Sequence, residues 1–405
     1  MSREVEGIGR DTLGKKYDVC AAVVGHLPFD ARVWKEVRTL ASAGYSVRLI
    51  GNRYDIDQEL RYSEHGVDVV EFPFGPRSGD TTDLKRAASV LRLWKEVLST
   101  NARAFHAHNV HTFPSMFVAS RLRRAKLVYD GHELYGEPSS RSISSRAIAR
   151  ILRLVERMAV RRSDRVITTN ISRVEVLSKR HGREQIVCLP NVPYRVDSVA
   201  PIDPGYPQNV PILLYQGGIY AEARAFRETI ASLPLLPELH LVILGFGRDG
   251  DLELIDTWAR EFGVSERVHR LGPQPFDQLV HTAAIATIGL VPLKPVSLNS
   301  WLGDTNKLHE YLMAGVPVVA SSFPEVRRVV EQGDPAVGET FDPENPRSIA
   351  DAIGRILDDP RYGERRAEAR RLALEQHNWE FESHRLVGLY EDLIGPPKVQ
   401  YQRGS

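Results

Sequence analysis

The sequence predicts an α/β protein built from two doubly wound parallel sheets. Short, continuous apolar segments rich in Val, Ile and Leu recur along the chain, and amphipathic helical segments separate them. Strands that are covered by helices on both faces are apolar throughout, so this pattern is typical of parallel sheets. The chain has 405 residues, which is more than a domain with a single hydrophobic core usually contains. We therefore expect two domains.

The predicted strands fall into two series. The first series is 17–25, 45–52, 67–74, 104–109, 125–132, 164–170 and 184–191; the second is 212–218, 239–247, 267–272, 283–292 and 315–322. Helices connect them, as in 31–43, where Val33, Val37, Leu40 and Ala41 form one apolar stripe. The segment 346–395 has helical periodicity without further strands.

A proline-rich segment separates the two series. Residues 191–211 contain five prolines and no periodic pattern, which indicates a linker. We predict a flexible N-terminus 1–16, an N-terminal domain 17–195, a linker 196–211 and a C-terminal domain 212–380. A helix 381–395 would return to the N-terminal domain, followed by a disordered tail 396–405. Ligands bind at the carboxyl ends of parallel strands, so we expect the functional site in a cleft between the domains.

Composition excludes several classes of protein. Apolar residues make up 42% and charged residues 26% of the chain, and the net charge of +1 gives no bulk reason to expect a nucleic-acid partner. The N-terminus has no apolar core of a secretory signal, and no apolar run is long enough to span a membrane. Two isolated cysteines, Cys20 and Cys188, suit a reducing compartment. We expect a cytoplasmic protein.

Glycines follow two strands of the second series. Gly217 and Gly218 end "LLYQGG", and Gly245 and Gly247 end "VILGFG". Glycine at a strand end lets a phosphate approach the backbone, but tight strand–helix turns use glycine routinely, so both interpretations stay open. The segment "GFGRDGD" lacks the third glycine of a dinucleotide fingerprint, which disfavours NAD.

Residues 304–319, "DTNKLHEYLMAGVPVV", place polar side chains at the start of a helix that precedes a buried strand. If the helix begins near Thr305 or Asn306, then Lys307 and Glu310 lie three residues apart on one side of it. A lysine in the first turn is unfavourable with respect to the helix dipole. A phosphate bound beside the lysine would offset this cost. Glu310 could then accept hydrogen bonds from a ribose. The alternative is a solvated first turn with a local ion pair.

These motifs together resemble the glycosyltransferases of family four, which have the GT-B fold. "NKLHEYLMAGVPVVAS" resembles the donor-binding segment of that family, and "LPFDARVWKEVRTLASAGYSVRLI" resembles its opening helix and second strand. "HAHN", "VYDGHE", "SDRVITTN", "LPNVP", "YQGG", "LGFG" and "LGPQP" follow in the family's order, so the resemblance extends over residues 17–395.

The resemblance implies a fold and an activity. The fold would be GT-B, with two Rossmann-like domains facing a central cleft. The activity would be transfer of a sugar from a nucleotide diphosphate sugar, with retention and without a metal. The acceptor would be a hydroxyl of a glycan, a lipid-linked glycan or a natural product. UDP is the default nucleotide, the donor is a substrate and no cofactor is expected; the oligomeric state is not predicted.

Donor-side residues are carried over position by position. The family's arginine after the first C-terminal strand falls at Gly218 and is absent, while the family's lysine position falls at Arg224. We expect Arg224 and Lys307 to hold the leaving diphosphate, with the backbone of Gly217, Gly218, Gly245 and Gly247 beside it.

Two glutamates of the family motif fall at Leu302 and Glu310, so the first is absent. Asp304 and the backbone of residues 303–305 are the substitutes we expect for it, and Asp304, Thr305 and Asn306 are expected to bind the donor. The losses at Gly218 and Leu302 leave an alternative open, an inactive homologue that binds a nucleotide or glycan as a partner subunit.

On the acceptor side, His132 follows a predicted strand between Asp130 and Glu133. It resembles the family histidine that points toward the donor sugar, although a lone histidine is more often structural. We expect Asp130, Glu133 and His108 to line the acceptor side. Metal binding by His106, His108 and His111 is disfavoured because no matching carboxylate or cysteine spacing accompanies them.

The segment 146–162 predicts a basic amphipathic helix. Ile148, Ile151, Leu152, Val155 and Ala159 form its apolar stripe, and arginines occupy the remainder. Such a helix suits an anionic membrane surface, which would put the protein at the inner face of a membrane. An ordinary helix packed on the sheet, with its arginines in solvent, is the favoured interpretation.

Overall fold

The computed structural model describes residues 6–7, 15–54, 56–75, 83–136 and 143–397, except for the side chains of 6–7, 83–85 and 143–145. The chain divides into two compact units. Unit 1 comprises Met1–Pro190 and Glu382–Ser405, and unit 2 comprises Asn191–Phe381. The predicted flexible N-terminus and disordered tail lie largely outside the described residues.

Unit 1 contains one sheet with the order β1-β4-β5-β3-β2-β6-β7-β8-β9, antiparallel where β4 pairs with β1 and β5 and parallel elsewhere. The strands are β1 (Glu6–Gly7), β2 (Lys16–His26), β3 (Val47–Arg53), β4 (Leu60–Glu64), β5 (Val67–Pro73), β6 (Asn101–His108), β7 (Lys126–Gly131), β8 (Arg165–Thr168) and β9 (Val187–Cys188). The helices are α1 (Ala31–Ser42), α2 (Asp83–Ser99), α3 (Asn109–Arg123), α4 (Ile143–Arg162) and α5 (Ile171–His181).

Unit 2 contains a parallel sheet with the order β12-β11-β10-β13-β14-β15. The strands are β10 (Ile212–Gln216), β11 (His240–Leu244), β12 (Val268–Leu271), β13 (Ile288–Val291), β14 (Val318–Ser321) and β15 (Gly338–Phe341). The helices are α6 (Phe226–Ser232), α7 (Asp249–Glu261), α8 (Leu279–Ala283), α9 (Leu298–Trp301), α10 (Asn306–Met313), α11 (Pro324–Val330), α12 (Pro346–Leu357) and α13 (Tyr362–Glu375).

Both units show the strand order of a doubly wound sheet, as predicted. In each, the chain moves outward in one direction from a central strand and then returns to build in the other direction. The reversal lies between β2 and β6 in unit 1 and between β10 and β13 in unit 2. Side chains at the carboxyl ends of those strands are where such sheets bind ligands.

The structure adds strands that the sequence did not predict, among them β4 and β15. β4 pairs antiparallel with β5 through a two-residue turn in which His65 and Gly66 have positive φ angles of 51° and 76°. β15 has the sequence Gly-Glu-Thr-Phe, which lacks the continuous apolar run by which the other strands were recognised. Both strands lie at or next to the outer edge of their sheets, away from the reversal points.

A last helix, α14 (Trp379–Ile394), begins in unit 2 and lies mostly in unit 1. The Tyr390 hydroxyl lies 2.9 Å from Nδ1 of the buried His106, and the Tyr45 hydroxyl donates a hydrogen bond to the Gly395 carbonyl at 3.0 Å. The predicted linker residue Tyr206 is buried in unit 2 and donates to the Thr282 carbonyl at 3.0 Å. None of the helices in the described part of the chain combines the length and apolarity needed to cross a membrane.

Strands β14 and β15 approach closely at Gly338. A Cβ atom at this position would lie 2.1 Å from the Val318 carbonyl oxygen. Gly354, in the middle of α12, has open space where a Cβ would lie. We predict that Gly338→Ala lowers the free energy of unfolding by about 3 kcal/mol, since the strands must separate. Gly354→Ala should raise it by about 0.5–1 kcal/mol through helix propensity. Chemical denaturation of both variants checks this, and equal effects would contradict the close approach.

Candidate functional site

The reversal point of unit 2 collects the predicted donor-side residues. β10 ends at Gln216 and is followed by Gly217 and Gly218. The loop that follows reaches Leu293, just beyond β13, through a backbone bridge at Arg224. Helix α10 begins at Asn306 and places Lys307 beside Gly217, since a Cβ on Gly217 would lie 3.4 Å from Cε of Lys307.

Lys307 is a buried cation. The residue is 8% exposed, and its Nζ lies 5.0 Å from the centre of the Tyr215 ring. Among the described residues it makes no ion pair and no hydrogen bond. Burial and the nearby Arg224 lower the pKa of Lys307 to about 7, although the charge of Glu310 acts in the opposite direction. An anion placed here would restore its charge.

Arg224 is the second cation at this edge. Its Nη1 donates to the Ala223 carbonyl at 3.0 Å, its guanidinium lies 5.8 Å from the Tyr220 ring centre, and its buried Nε has no hydrogen-bond partner among the described residues. No described carboxylate lies within ion-pair distance of Arg224 or Lys307. Two neighbouring cations that make no ion pair with a described carboxylate form a site for an anion.

Packing within the protein explains why glycine occupies several positions at this edge of the sheet. Gly217 has a φ of +120°, and a Cβ on Gly245 would lie 1.9 Å from the Gly217 carbonyl oxygen. Gly217 N–H donates to the Leu244 carbonyl at 2.8 Å, so the two loops run against each other. Gly218 and Gly247 similarly have Tyr220 and Ile219 where a Cβ would lie. Contact of these glycines with a ligand stays a prediction.

Glu310 lies one turn deeper on α10, on the same side as Lys307. The side-chain amide of Gln216 donates to the Glu310 carboxylate, and Gln216 N–H donates to the Tyr311 hydroxyl at 3.0 Å. Both Gln216 and Glu310 are buried. Sequence reasoning missed Gln216, although it directly precedes the two glycines in "LLYQGG".

The polar side chains at the start of α10 are more buried and make more contacts within the protein than the sequence suggested. Asp304 Oδ2 lies 3.4 Å from Nε2 of the buried His309. Thr305 is the N-cap residue, but its hydroxyl makes no capping bond and is buried without a partner among the described residues. Asn306 is half-buried in the first turn. Leu302 is 8% exposed, so the position of the missing carboxylate is packed as an apolar side chain.

In unit 1, Asp130 is the centre of a buried polar cluster at the carboxyl ends of β6 and β7. Arg32 of α1 donates two hydrogen bonds to its carboxylate, from Nε at 2.9 Å and from Nη2 at 3.0 Å. His132 Nε2 lies 2.9 Å and His108 Nδ1 3.3 Å from Oδ2. Burial alone would raise the pKa of Asp130, but the Arg32 guanidinium and His132 hold it well below its usual range.

His132 is held on both sides of its ring. Nδ1 lies 3.3 Å from the amide nitrogen of Asn109, whose oxygen accepts the His132 N–H at 3.1 Å. Asn109 therefore donates to Nδ1, and Nε2 carries the proton that is donated to Asp130. The His132 side chain is 16% exposed. Asn109, which has a positive φ of 67°, and Arg32 were both missed by sequence reasoning.

The remaining predicted acceptor-side residues lie at different depths. His108 and Asp130 are fully buried, whereas Glu133 is exposed and no described contact joins it to Asp130. An acceptor at this edge would therefore meet His132 and Glu133 before the other two.

Four side chains of unit 1 could in principle hold a metal. Ligand atoms of Glu36, His106, His108 and Asp130 lie within 4.8 Å of one another, and all four residues are buried. Arg32 contacts both carboxylates, with 3.0 Å from its Nε to Glu36 Oε1. Its guanidinium supplies positive charge where a cation would be. Burial and the charge of Asp130 raise the pKa of Glu36 well above normal, which also opposes metal ligation.

Comparison with known families matches both halves of the chain. Residues 30–191 match the model "Glycosyl transferase 4-like domain", and residues 210–359 match "Glycosyl transferases group 1". The two matches follow each other in sequence and together cover about three quarters of the chain.

Two curated relatives illustrate the sequence similarity. A D-inositol 3-phosphate glycosyltransferase of Corynebacterium urealyticum is 28% identical over 45% of this chain and 41% of its own. A glycogen synthase of Mycobacterium tuberculosis is 29% identical over 57% of this chain and 54% of its own. The matched part of the chain thus spans about half the length of these relatives.

Solved structures match nearly the whole chain. A sucrose-phosphate synthase from Thermosynechococcus elongatus has a TM-score of 0.73 at 19% identity, covering 93% of this chain and 99% of its own. Anabaena HepE in complex with UDP-glucose has a TM-score of 0.67 at 14% identity, covering 93% and 100%. These likenesses show a GT-B fold. With both family models matched in order, the chain belongs to the group 1, family-four-like glycosyltransferases.

Proposed function

We propose that the protein transfers a sugar from a nucleotide diphosphate sugar to a hydroxyl group, with retention of configuration and without a metal. Unit 2 would bind the donor, with UDP as the default nucleotide and no further cofactor. The observation that carries this proposal is the pair of cations, Lys307 and Arg224, that flank Tyr215 without a described counter-ion. Cys20 and Cys188 form no disulfide with a described residue, which supports a cytoplasmic setting.

The pair suits a departing diphosphate. Negative charge accumulates on the leaving group as the glycosidic bond breaks, and preorganised cations in a water-poor site stabilise that charge strongly. Arg224 can bind two phosphate oxygens at once, whereas Lys307 acts as a buried point charge. Together they would replace the family arginine that is absent at Gly218.

The nucleotide would be positioned by Glu310. Its carboxylate is already oriented by Gln216 at the end of β10, and a carboxylate with a fixed orientation can accept two hydroxyl hydrogens of a ribose. Glu310 and Lys307 lie three residues apart on α10, so ribose and diphosphate would bind to successive turns of one helix. Binding energy from the nucleotide would then position the sugar for reaction.

The acceptor hydroxyl would attack from the leaving-group face, and the departing phosphate oxygen would take its proton. No dedicated protein base is then required. In unit 1, Nδ1 of His132 is the nitrogen that faces away from the buried Asp130. A sugar hydroxyl would replace Asn109 at Nδ1, because that 3.3 Å contact is longer than the 2.9 Å contact between Nε2 and Asp130.

Removing either cation tests the diphosphate assignment. We expect Arg224→Ala and Lys307→Ala each to reduce turnover about 10²–10³-fold, the usual effect of losing one group that stabilises transition-state charge. Arg227→Ala is the matched control, because Arg227 is exposed and paired with Glu261 at 2.6 Å. Transfer from a panel of UDP-sugars is the measurement, with circular dichroism to verify folding. Near-normal turnover in both variants would contradict the assignment.

The pKa of Lys307 gives a prediction for pH dependence. Because a diphosphate binds the ammonium form, whose pKa is about 7 in the free protein, affinity for UDP should fall above pH 7 by about tenfold per pH unit. Lys307→Arg keeps its charge and should lose this fall. Titration calorimetry between about pH 7 and 9 is the measurement. A flat profile in the parent protein would show that Lys307 does not bind the diphosphate.

A second candidate function is an inactive homologue that binds a nucleotide or glycan. Leu302 favours it, since a buried leucine occupies the position where the family has a sugar-binding carboxylate. Thermal-shift screening with UDP, GDP, TDP and their sugars separates the two functions when combined with an assay of donor hydrolysis. We expect a stabilising nucleotide and slow donor hydrolysis. Stabilisation without hydrolysis or transfer across the panel would support the inactive homologue.

A further inference from the structure

The outward-facing surface of α4 in unit 1 is apolar. Ile148, Ile151, Leu154 and Met158 are 57%, 59%, 60% and 49% exposed. Soluble domains expose single apolar side chains routinely, but four large ones in a row on one helix are uncommon. We call these four residues the α4 ridge.

The ridge points away from the body of unit 1. At about 100° per residue, Ile151, Leu154 and Met158 lie opposite the buried residues Glu156 and Val160. The sequence places Ile148 and Ile151 in one apolar stripe with Leu152, Val155 and Ala159, and it favours an ordinary helix packed on the sheet. The structure buries only part of this stripe: Ala159 is fully buried, whereas Ile148 and Ile151 face solvent.

A row of arginines runs along one flank of the ridge. All its members are exposed and recur every three or four residues: Arg146, Arg150, Arg153, Arg157 and Arg161. The only acidic residue of α4 is Glu156, which is buried, accepts the Tyr135 N–H at 2.7 Å and lies 3.1 Å from His181 Nε2. The solvent side of α4 therefore carries charge of one sign.

Neighbouring helices extend this basic and apolar surface. A cavity of about 490 Å³ opens beside the ridge, lined by Arg150, Arg153, Leu154, Arg157, Arg180 and His181. At the end of α3, Leu122 is 70% exposed and flanked by further arginines, and Arg121 donates to the Arg162 carbonyl at 2.8 Å. This contact joins the end of α3 to the end of α4.

We propose that the α4 ridge and its arginine row form a docking surface for an anionic lipid bilayer. The ridge would enter the boundary between headgroups and acyl chains, and the arginines would pair with lipid phosphates. One of these phosphates would bind in the arginine-lined cavity. A second copy of this chain is a poor occupant, since pairing two ridges would bring the two arginine rows together. The proposal is independent of the donor chemistry of unit 2.

Vesicle binding by the full-length protein tests the proposal. We expect co-sedimentation with vesicles of phosphatidylcholine and phosphatidylglycerol, at least about tenfold stronger than with phosphatidylcholine alone, because each arginine near an anionic surface adds about fivefold in affinity. Raising NaCl from about 0.1 M to about 0.5 M should weaken it. No binding, or equal binding to both kinds of vesicle, would overturn the proposal.

Paired variants locate the surface. Ile151→Ser combined with Leu154→Ser should weaken binding about tenfold or more, whereas Leu235→Ser with Leu254→Ser, at exposed apolar positions of unit 2, should not. Arg150→Gln combined with Arg157→Gln should weaken vesicle binding about 25-fold. Arg347→Gln combined with Arg371→Gln, in unit 2, is the control and should leave binding unchanged. Parent-like binding by both α4 variants would overturn the assignment.

Two further measurements distinguish bilayer binding from self-association and from donor binding. A dimer that disappears in the Ile151→Ser, Leu154→Ser variant, with no vesicle binding by the parent, would show that the ridge pairs with another chain and would overturn the proposal. Stabilisation by UDP, measured in the same preparations, should be unchanged in every α4 variant. A parent protein that binds vesicles but is not stabilised by any nucleotide would count against the donor site alone.

Discussion

The buried ammonium of Lys307 is the feature on which the candidate donor site depends. Burial of a cation is costly unless it is paired, yet Lys307 lies on the face of Tyr215 and near a second cation, Arg224, and the Glu310 carboxylate offsets this only in part, without ion-pair contact. The folded chain therefore tolerates it through a lowered pKa. A site in this state gains from binding an anion, because the ligand supplies the missing charge. Gly217, with its positive φ, keeps the β10 loop beside Lys307 without a side chain between them.

In unit 1, by contrast, the buried charge at the strand ends is paired within the protein. The charge of Asp130 is neutralised by Arg32, and two histidines share its oxygen Oδ2. Such a satisfied network is rigid and fixes the ring of His132 in one tautomer. The same strand-end geometry thus produces a cluster that holds a side chain in place in unit 1 and a cluster that needs a ligand in unit 2. This division agrees with the proposed function, in which unit 2 would bind the charged donor.

Most of the fold could be predicted because buried parallel strands leave continuous apolar runs in a sequence. β4 and β15 were missed because neither is a continuous apolar run: β4 is an antiparallel strand with one buried residue, and β15 has the sequence Gly-Glu-Thr-Phe. Among the candidate site residues, Lys307 and Glu310 were found through their spacing on one helix. Arg32 and Asn109 were missed because their partners are 98 and 23 residues away in sequence, and no local pattern reports such pairs.

The sequence by itself determined the two α/β halves, the glycines at the strand ends and the run of polar residues that begins α10, since each of these is a local pattern of residue types. Only the tertiary structure decided that Lys307 is buried without a described counter-ion, that Asp130 is gripped by Arg32, and that Ile148 and Ile151 face solvent. These properties depend on which distant side chains fold against a residue. Periodicity shows that a helix has an apolar stripe, but burial is decided by the rest of the chain.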